Sequence, residues 1–409
     1  MTEDMRVTVE RLGHHGDGIA AGPVYVRGAL PGEVVEGAVT SGVMLSPRIV
    51  TPVPERVSPP CRHAKACGGC QLQHAADPFV EGWKVDVVAR ALSAQGIETE
   101  LRPIVTSPPR SRRRAGFSAR RTKKGALAGF HAKASDVVIA VPDCQLVRPA
   151  LAAALPMVEE LAVAGASRKG ELSVQVTETL GGLDVVVTGG KAVDDAFRVT
   201  LAGMAQKHNL ARLAWDDEVL TLHPPAHRFG DAEVVPPPGA FLQATAEGEA
   251  ALLAGVEEAL EGCSQMADLF AGCGTFALPL ASRGKVHAVE GDAAMARALD
   301  KGWRQGKGLR HVTHEARDLF RNPLLPDELA RFDGVVIDPP RAGAEAQVAE
   351  LANARVPRIA YVSCNPVSYA RDAARLISAG YSLDWVRVVD QFRWSTHVEL
   401  VSQFTLAKS

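Results

Sequence analysis

The sequence predicts an α/β protein: a doubly wound parallel sheet at the C-terminus, with a small β-barrel and a central α+β unit ahead of it. Three patterns lead to that prediction. From about residue 239 onward helical and strand-like runs alternate ("GEAALLAGVEEAL", "QMADLF", "FALPLAS", "KVHAVEGD", "AAMARALDKGWRQ", "FDGVVIDPP", "RIAYVSC", "SYARDAARLISAG"), as parallel strands joined by crossover helices do. The first 55 residues are short runs of alternating polarity separated by glycines, the signature of a small barrel. Between the two, strand-like runs with one or two helices fill residues 101–215. The expected division is 1–55, 56–235 and 236–409, and 409 residues suffice for two or three domains.

The barrel pattern ("MRVTVERLG", "GDGIAAG", "VYVRGALPGEVVEGAVT", "MLSPRIVTPV") exits through a proline-rich linker, "TPVPERVSPP". The acidic start "MTEDM" has no apolar core of a secretory signal, and no apolar run approaches the roughly 20 residues that span a bilayer, so a cytoplasmic protein is expected. A net charge of -2 hides one local field: "RSRRRAGFSARRTKK", residues 110–124, holds eight basic residues and no acid, with Phe117 interleaved. That pattern predicts a phosphate-contacting surface. Ahead of it, the apolar spacing of "PFVEGWKVDVVARALSAQG" and its closing glycine predict a helix near 79–95, placed to pack on the C-terminal unit.

"CRHAKACGGC" spaces Cys61, Cys67 and Cys70 as C-x5-C-x2-C. In a cytosolic protein this reads as metal-binding rather than as a disulfide framework. Three thiolates need a fourth ligand: His63 or His74 would complete a zinc site, whereas Cys144 in "VPDCQL" would make an all-thiolate site for zinc or a 4Fe-4S cluster. Cys263 reads as a packing residue and Cys273 as part of a turn.

In "MADLFAGCGTFALPLA" a strand ending at Asp268 and Phe270 is followed by a glycine turn (Gly272, Gly274) and a helix near Thr275. Such a turn lets the backbone approach a ligand. Glu290 ends the next strand, where an acid can accept hydrogen bonds from both hydroxyls of a ribose. The third glycine of a dinucleotide fingerprint is missing, with Leu278 near its place, so S-adenosyl-L-methionine is the expected cofactor. Asp338 in "VVIDPPRAG" and Cys364 in "YVSCNP" end two further strands and should lie side by side in the same crevice.

"DLFAGCGTF", "DPPRAG", "SCNPVSYARD" and "HVELVSQF" together resemble the RNA (uracil-5-)-methyltransferase family. With the cysteines and a start similar to the TRAM domain ("HHGDGIA", "VYVRGALPGEVV"), the likeness is to its 23S ribosomal RNA members and covers the chain. The resemblance implies a Rossmann-like methyltransferase domain at residues 236–409 behind an OB-like barrel. It also implies Cys364 as nucleophile, Glu399 as the base that takes the C5 proton, and Asp338 holding the pyrimidine edge. Gln243, Phe270, Gly272, Thr275, Glu290 and Asp338 would contact cofactor. It favours a 4Fe-4S cluster on Cys61, Cys67, Cys70 and Cys144 and an RNA partner that is 23S rRNA; a monomer is expected, although no pattern in the sequence reads out the oligomeric state. Thr245 and Thr275 depart from asparagines found in many relatives. Transfer RNA uracil-5 and RNA cytosine-5 methyltransferases are the enzymatic alternatives, and a zinc-containing RNA-binding protein the non-enzymatic one.

Overall fold

The structure, a computed structural model, describes residues 3–407; Met1 and Thr2 of the acidic start and the last two residues of the C-terminal unit lie outside it. The first six strands form one curved sheet in the order Val43–Met44, Val24–Val26, Gly18–Ala20, Glu3–Leu12, Val34–Val39, Arg48–Thr51. A bridge between Thr40 and Val43 joins the end of Val34–Val39 to the first strand of that order, closing the sheet into a barrel. Its core is Val9, Val26, Val35 and Met44. Leu12 and Leu30 dock the barrel onto Leu72, Val80 and Trp83.

A seven-stranded, mostly antiparallel sheet follows, built around Arg114–Thr122, Glu171–Thr179 and Gly182–Thr188, with the helix Leu155–Gly165 packed on it. Phe117 belongs to this core at 1% exposure, its ring tilted against Phe130 with centroids 5.1 Å apart. The sequence marks it as an RNA-facing aromatic; strand alternation instead turns Ala115, Phe117 and Ala119 inward together.

The C-terminal sheet has eight strands, in the order Val312–Ala316, Lys285–Glu290, Gln265–Leu269, Gly334–Ile337, Arg358–Ser363, Glu399–Leu406, Tyr381–Asp390, Glu100–Thr106. The first five are parallel, and Glu399–Leu406 is antiparallel to both neighbours. Gly334–Ile337 is buried at every residue, as expected of a parallel strand covered on both faces. Strand order reverses at Gln265–Leu269, so a crevice opens at the carboxyl ends of that strand and Gly334–Ile337. The helix near 79–95 spans Asp77–Ser93 and shares a core with Ile359 and Leu376. The edge strand Glu100–Thr106 also joins this sheet, pairing parallel to Tyr381–Asp390, although the sequence places both elements in the central unit. Lys84 of the helix is fully buried and pairs with buried Asp390 at 2.7 Å.

Candidate active site

The glycine turn after Gln265–Leu269 is set by unusual backbone angles. Phe270 has φ 64°, Gly272 φ 57° and Gly274 φ 95°, and a Cβ on Gly274 would sit 2.8 Å from Leu278. Only glycine fits there without displacing the core. Phe270 adopts a left-handed angle that a bulky side chain occupies at a cost, a strain that marks functional turns. Its ring packs near Phe320 at 5.4 Å. Glu290 accepts the N–H of Gly272 at 2.7 Å and of Asp292 at 2.9 Å, which fixes its carboxylate at the mouth of the turn.

Asn-Pro after Cys364 has a local explanation. Asn365 caps the helix Pro366–Ser378 by accepting the Val367 N–H at 3.1 Å, and Pro366 occupies the first turn, where its missing N–H costs nothing. Asn365 also donates to the Arg341 carbonyl at 2.8 Å, tying the "DPPRAG" loop to the strand that ends on the thiol. Asp372, the aspartate of "SYARD", is scaffold: it accepts from Tyr361 Oη at 2.6 Å and from the Ala344 N–H at 2.9 Å.

These strand ends enclose a crevice of about 440 Å³. Every catalytic and cofactor residue read from the sequence lines it: Cys364, Glu399 and Asp338 together with Gln243, Phe270, Gly272, Thr275 and Glu290. Phe241, Met295 and Arg341 line it too; Arg341 belongs to "DPPRAG", whereas no motif announces Phe241 or Met295. Thr245 points elsewhere, capping the helix Ala246–Ala259 through the Gly248 N–H at 3.0 Å.

The crevice collects acids away from water. Burial, and then the charge of Asp338, push Glu399 up to about 8. Burial pushes Asp338 up to about 7, although one face of this residue stays open to the crevice. Asp268 beneath them is fully buried, and burial and then the charge of Asp338 push it up to about 8, against the pull of the Ala277 backbone N–H. The Cys364 thiol is raised by burial and by Glu399 and Asp338, while Arg341 pulls it down. The site therefore holds protons near neutrality and releases them at little cost.

The basic run divides in two. Arg113 is buried, pairs with Glu249 and donates to the Gln243 carbonyl at 3.1 Å, so it braces the crevice. Arg121, Lys123 and Lys124 sit exposed at a hairpin.

Cys61, Cys67, Cys70 and Cys144 come together: the charges of Cys61 and Cys144 act on Cys67, and those of Cys61, Cys67 and Cys144 act on Cys70. Among the described residues, however, no three His, Cys, Asp or Glu side chains are grouped closely enough to hold a metal ion. The sulfurs of Cys67 and Cys144 each accept a backbone N–H at 3.4 Å, and Lys133 and Arg112 stand beside the thiols. Neither histidine from the sequence reading joins them. His63 pairs with Asp143 at 2.7 Å, and His74 is held neutral by burial and by Arg56.

The sequence profile described as tRNA (Uracil-5-)-methyltransferase matches residues 309–406. An uncharacterized RNA methyltransferase of Brucella suis is 43% identical over 98% of this chain and 97% of its own. The 23S rRNA (uracil(1939)-C(5))-methyltransferase RlmD of Nitrosococcus oceani is 33% identical over 98% of this chain and 96% of its own. The chain belongs to the RNA (uracil-5-)-methyltransferase family. Membership makes it an enzyme and sets aside the zinc-containing RNA-binding protein. The tRNA (uracil-54, C5)-methyltransferase of Pyrococcus abyssi, solved with S-adenosyl-L-homocysteine, superposes with a TM-score of 0.75 over 98% of this chain and 100% of that one. At 23% identity the two share a fold, the α/β architecture expected from the sequence.

Proposed function

We propose that the enzyme methylates C5 of a uridine in 23S rRNA, with S-adenosyl-L-methionine as methyl donor and Cys364 as transient nucleophile. The observation behind this reading is the convergence of Cys364, Glu399, Asp338 and the glycine turn on one crevice. The donor supplies an electrophilic methyl group. The glycine turn, Phe270, Thr275 and Glu290 would hold it, with Glu290 facing the ribose.

Uracil C5 is too weak a nucleophile to take that methyl unaided. The Cys364 thiolate adds to C6, and the ring becomes an enolate whose C5 can attack. Asp338, neutral or ionised at little cost, holds the pyrimidine edge. After transfer C5 carries both the methyl group and its original hydrogen. The Glu399 carboxylate takes that proton, the C5–H electron pair re-forms the C5–C6 double bond, and the C6–S bond breaks to release the thiolate.

For the four cysteines the all-sulfur donor set, the backbone N–H groups on two sulfurs and the adjacent Arg112 and Lys133 fit a 4Fe-4S cluster, whose four thiolates bring net negative charge. The role is structural: Gln71 and Leu72 donate to the Trp394 carbonyl, both at 2.9 Å, bracing the loop that precedes Glu399.

RNA would lie across the barrel and the central sheet, where a crevice of about 470 Å³ is lined by His15, Arg27, Phe130 and Lys133. The TRAM-like barrel supports the 23S reading, as does the full-length likeness to the Nitrosococcus enzyme. Transfer RNA is the second reading, favoured by the profile over residues 309–406. One chain supplies every residue named, so a monomer suffices, and we place it in the cytoplasm. No helix among the described residues is long and apolar enough to cross a membrane. Mapping 5-methyluridine in 23S rRNA and tRNA from cells lacking the gene decides between substrates. A site lost from 23S rRNA and restored by the gene supports the proposal; an unchanged map overturns it.

A further inference from the structure

Gln391, which no sequence motif singles out, occupies the middle of a buried hydrogen-bond line. It follows the strand Tyr381–Asp390 and is 1% exposed. Its Oε1 accepts the backbone N–H of Thr245 at 3.3 Å, and its Nε2 donates to Gln243 Oε1 at 2.6 Å and to Glu399 Oε2. A backbone N–H can only donate, so the amide cannot be turned over: its oxygen faces Thr245 and its NH2 group faces the site. Gln243 is fixed in turn. Its oxygen is taken by Gln391, so its own NH2 group points toward Asp338 Oδ2, 3.5 Å away.

We infer that Gln391 is a positioning residue for the proton-transfer step, holding Glu399 Oε2 as a hydrogen-bond acceptor so that the C5 proton can be taken only on Oε1. A proton on Oε2 would place two donors face to face. The inference rests on the covalent mechanism proposed above, and the bond changes are those already given, with the atom that receives the proton now specified.

The surroundings of Gln391 support a fixed role. A Cβ on Gly248 would come within 2.2 Å of Gln391 Cγ, so the glycine makes room for this side chain. The loop that carries it is anchored by the Lys84–Asp390 pair and by Lys84 donating to the Phe392 carbonyl at 3.2 Å. Charged groups reach Glu399 from several elements: Asp338 and Asp390 raise its pKa, Lys84 of the helix Asp77–Ser93 lowers it, and Cys364 faces it. Gln391 is the neutral donor among them and also lowers it.

The test uses full-length enzyme, S-adenosyl-L-methionine and unmodified 23S rRNA transcript, with rapid-quench gels that separate covalent adduct from released product. In Gln391→Met, adduct formation should match wild type. Resolution of the adduct should be about tenfold slower at pH 7, from loss of a hydrogen bond to a charged acceptor, and should recover as pH rises because the limb belonging to Glu399 moves upward. Gln391→Leu is the second variant should methionine not pack, with the same shift expected. An unchanged resolution rate and pH profile in a folded variant overturns the inference and leaves the covalent mechanism standing. A wild type that never links to RNA overturns both.

Discussion

The strand-end crevice and the cysteine-lined loop both bury titratable groups, yet they treat charge in opposite ways. In the crevice Asp268, Asp338 and Glu399 are raised to about 8, 7 and 8, so burial favours their protonated forms near neutrality. Around the thiols burial pushes Cys70 up to about 12, but Arg112 and Lys133 stand half-buried beside them and are themselves lowered by partial burial. Cations forced in next to thiols are suited to a permanently anionic group. The contrast teaches that similar burial can serve proton movement or the retention of fixed charge, and that the neighbours decide which.

The largest effect that would break this comparison lies in the crevice. Glu399→Gln should slow product release roughly 10³-fold, as expected for loss of a general base, while still forming the adduct; product at the normal rate would remove the base from Glu399. Next comes the strut between the regions. Lys84→Met leaves Asp390 buried without its partner and should cost about 3–5 kcal/mol of stability, read by denaturant unfolding, whereas Lys84→Met with Asp390→Asn should recover part of it. In the cysteine loop, Cys144→Ala should abolish the visible absorbance of anaerobically purified protein and lower Tm by roughly 5–10 °C, at 2–4 °C per kcal/mol. Stoichiometric zinc in a colourless wild type would contradict the cluster.

The smallest effect concerns pH. A carboxyl raised from 4.5 or 3.8 to about 8 binds its proton more tightly in the folded protein. Its stabilising share is complete below the unfolded value and is lost as pH climbs through the folded one. Tm should therefore fall between pH 5 and pH 8, while adduct resolution rises over the upper part of that range as Glu399 ionises. Asp268→Asn should flatten the stability slope without reversing it.

Much of this was legible in the chain because strand ends write themselves in local sequence. Asp338, Cys364, Glu290 and the glycine turn each close an apolar run, and parallel-sheet topology then brings all the ends to one edge. Residues 110–124 were less legible: charge counts them alike, but alternation along Arg114–Thr122 and the docking of Arg113 against Glu249 separate buried braces from exposed cations. Gln391 and Lys84 were not legible at all. Their roles depend on partners 148 and 306 residues away, Gln243 and Asp390, which only the packed fold supplies. The edge strand Glu100–Thr106 was missed for the same reason, since its pairing with Tyr381–Asp390 spans most of the chain.

The central claim is a transient bond between Cys364 and pyrimidine C6. A 23S rRNA transcript made with 5-fluorouridine, incubated with enzyme and S-adenosyl-L-methionine, should yield a stable complex, because fluorine replaces the C5 proton that the base must remove and cannot itself depart as a cation. Digestion and mass spectrometry should place the methylated fluorouridine on the peptide containing Cys364, with no complex from Cys364→Ala. A nucleotide attached through another residue, or an alanine variant that still methylates uridine, would contradict the account.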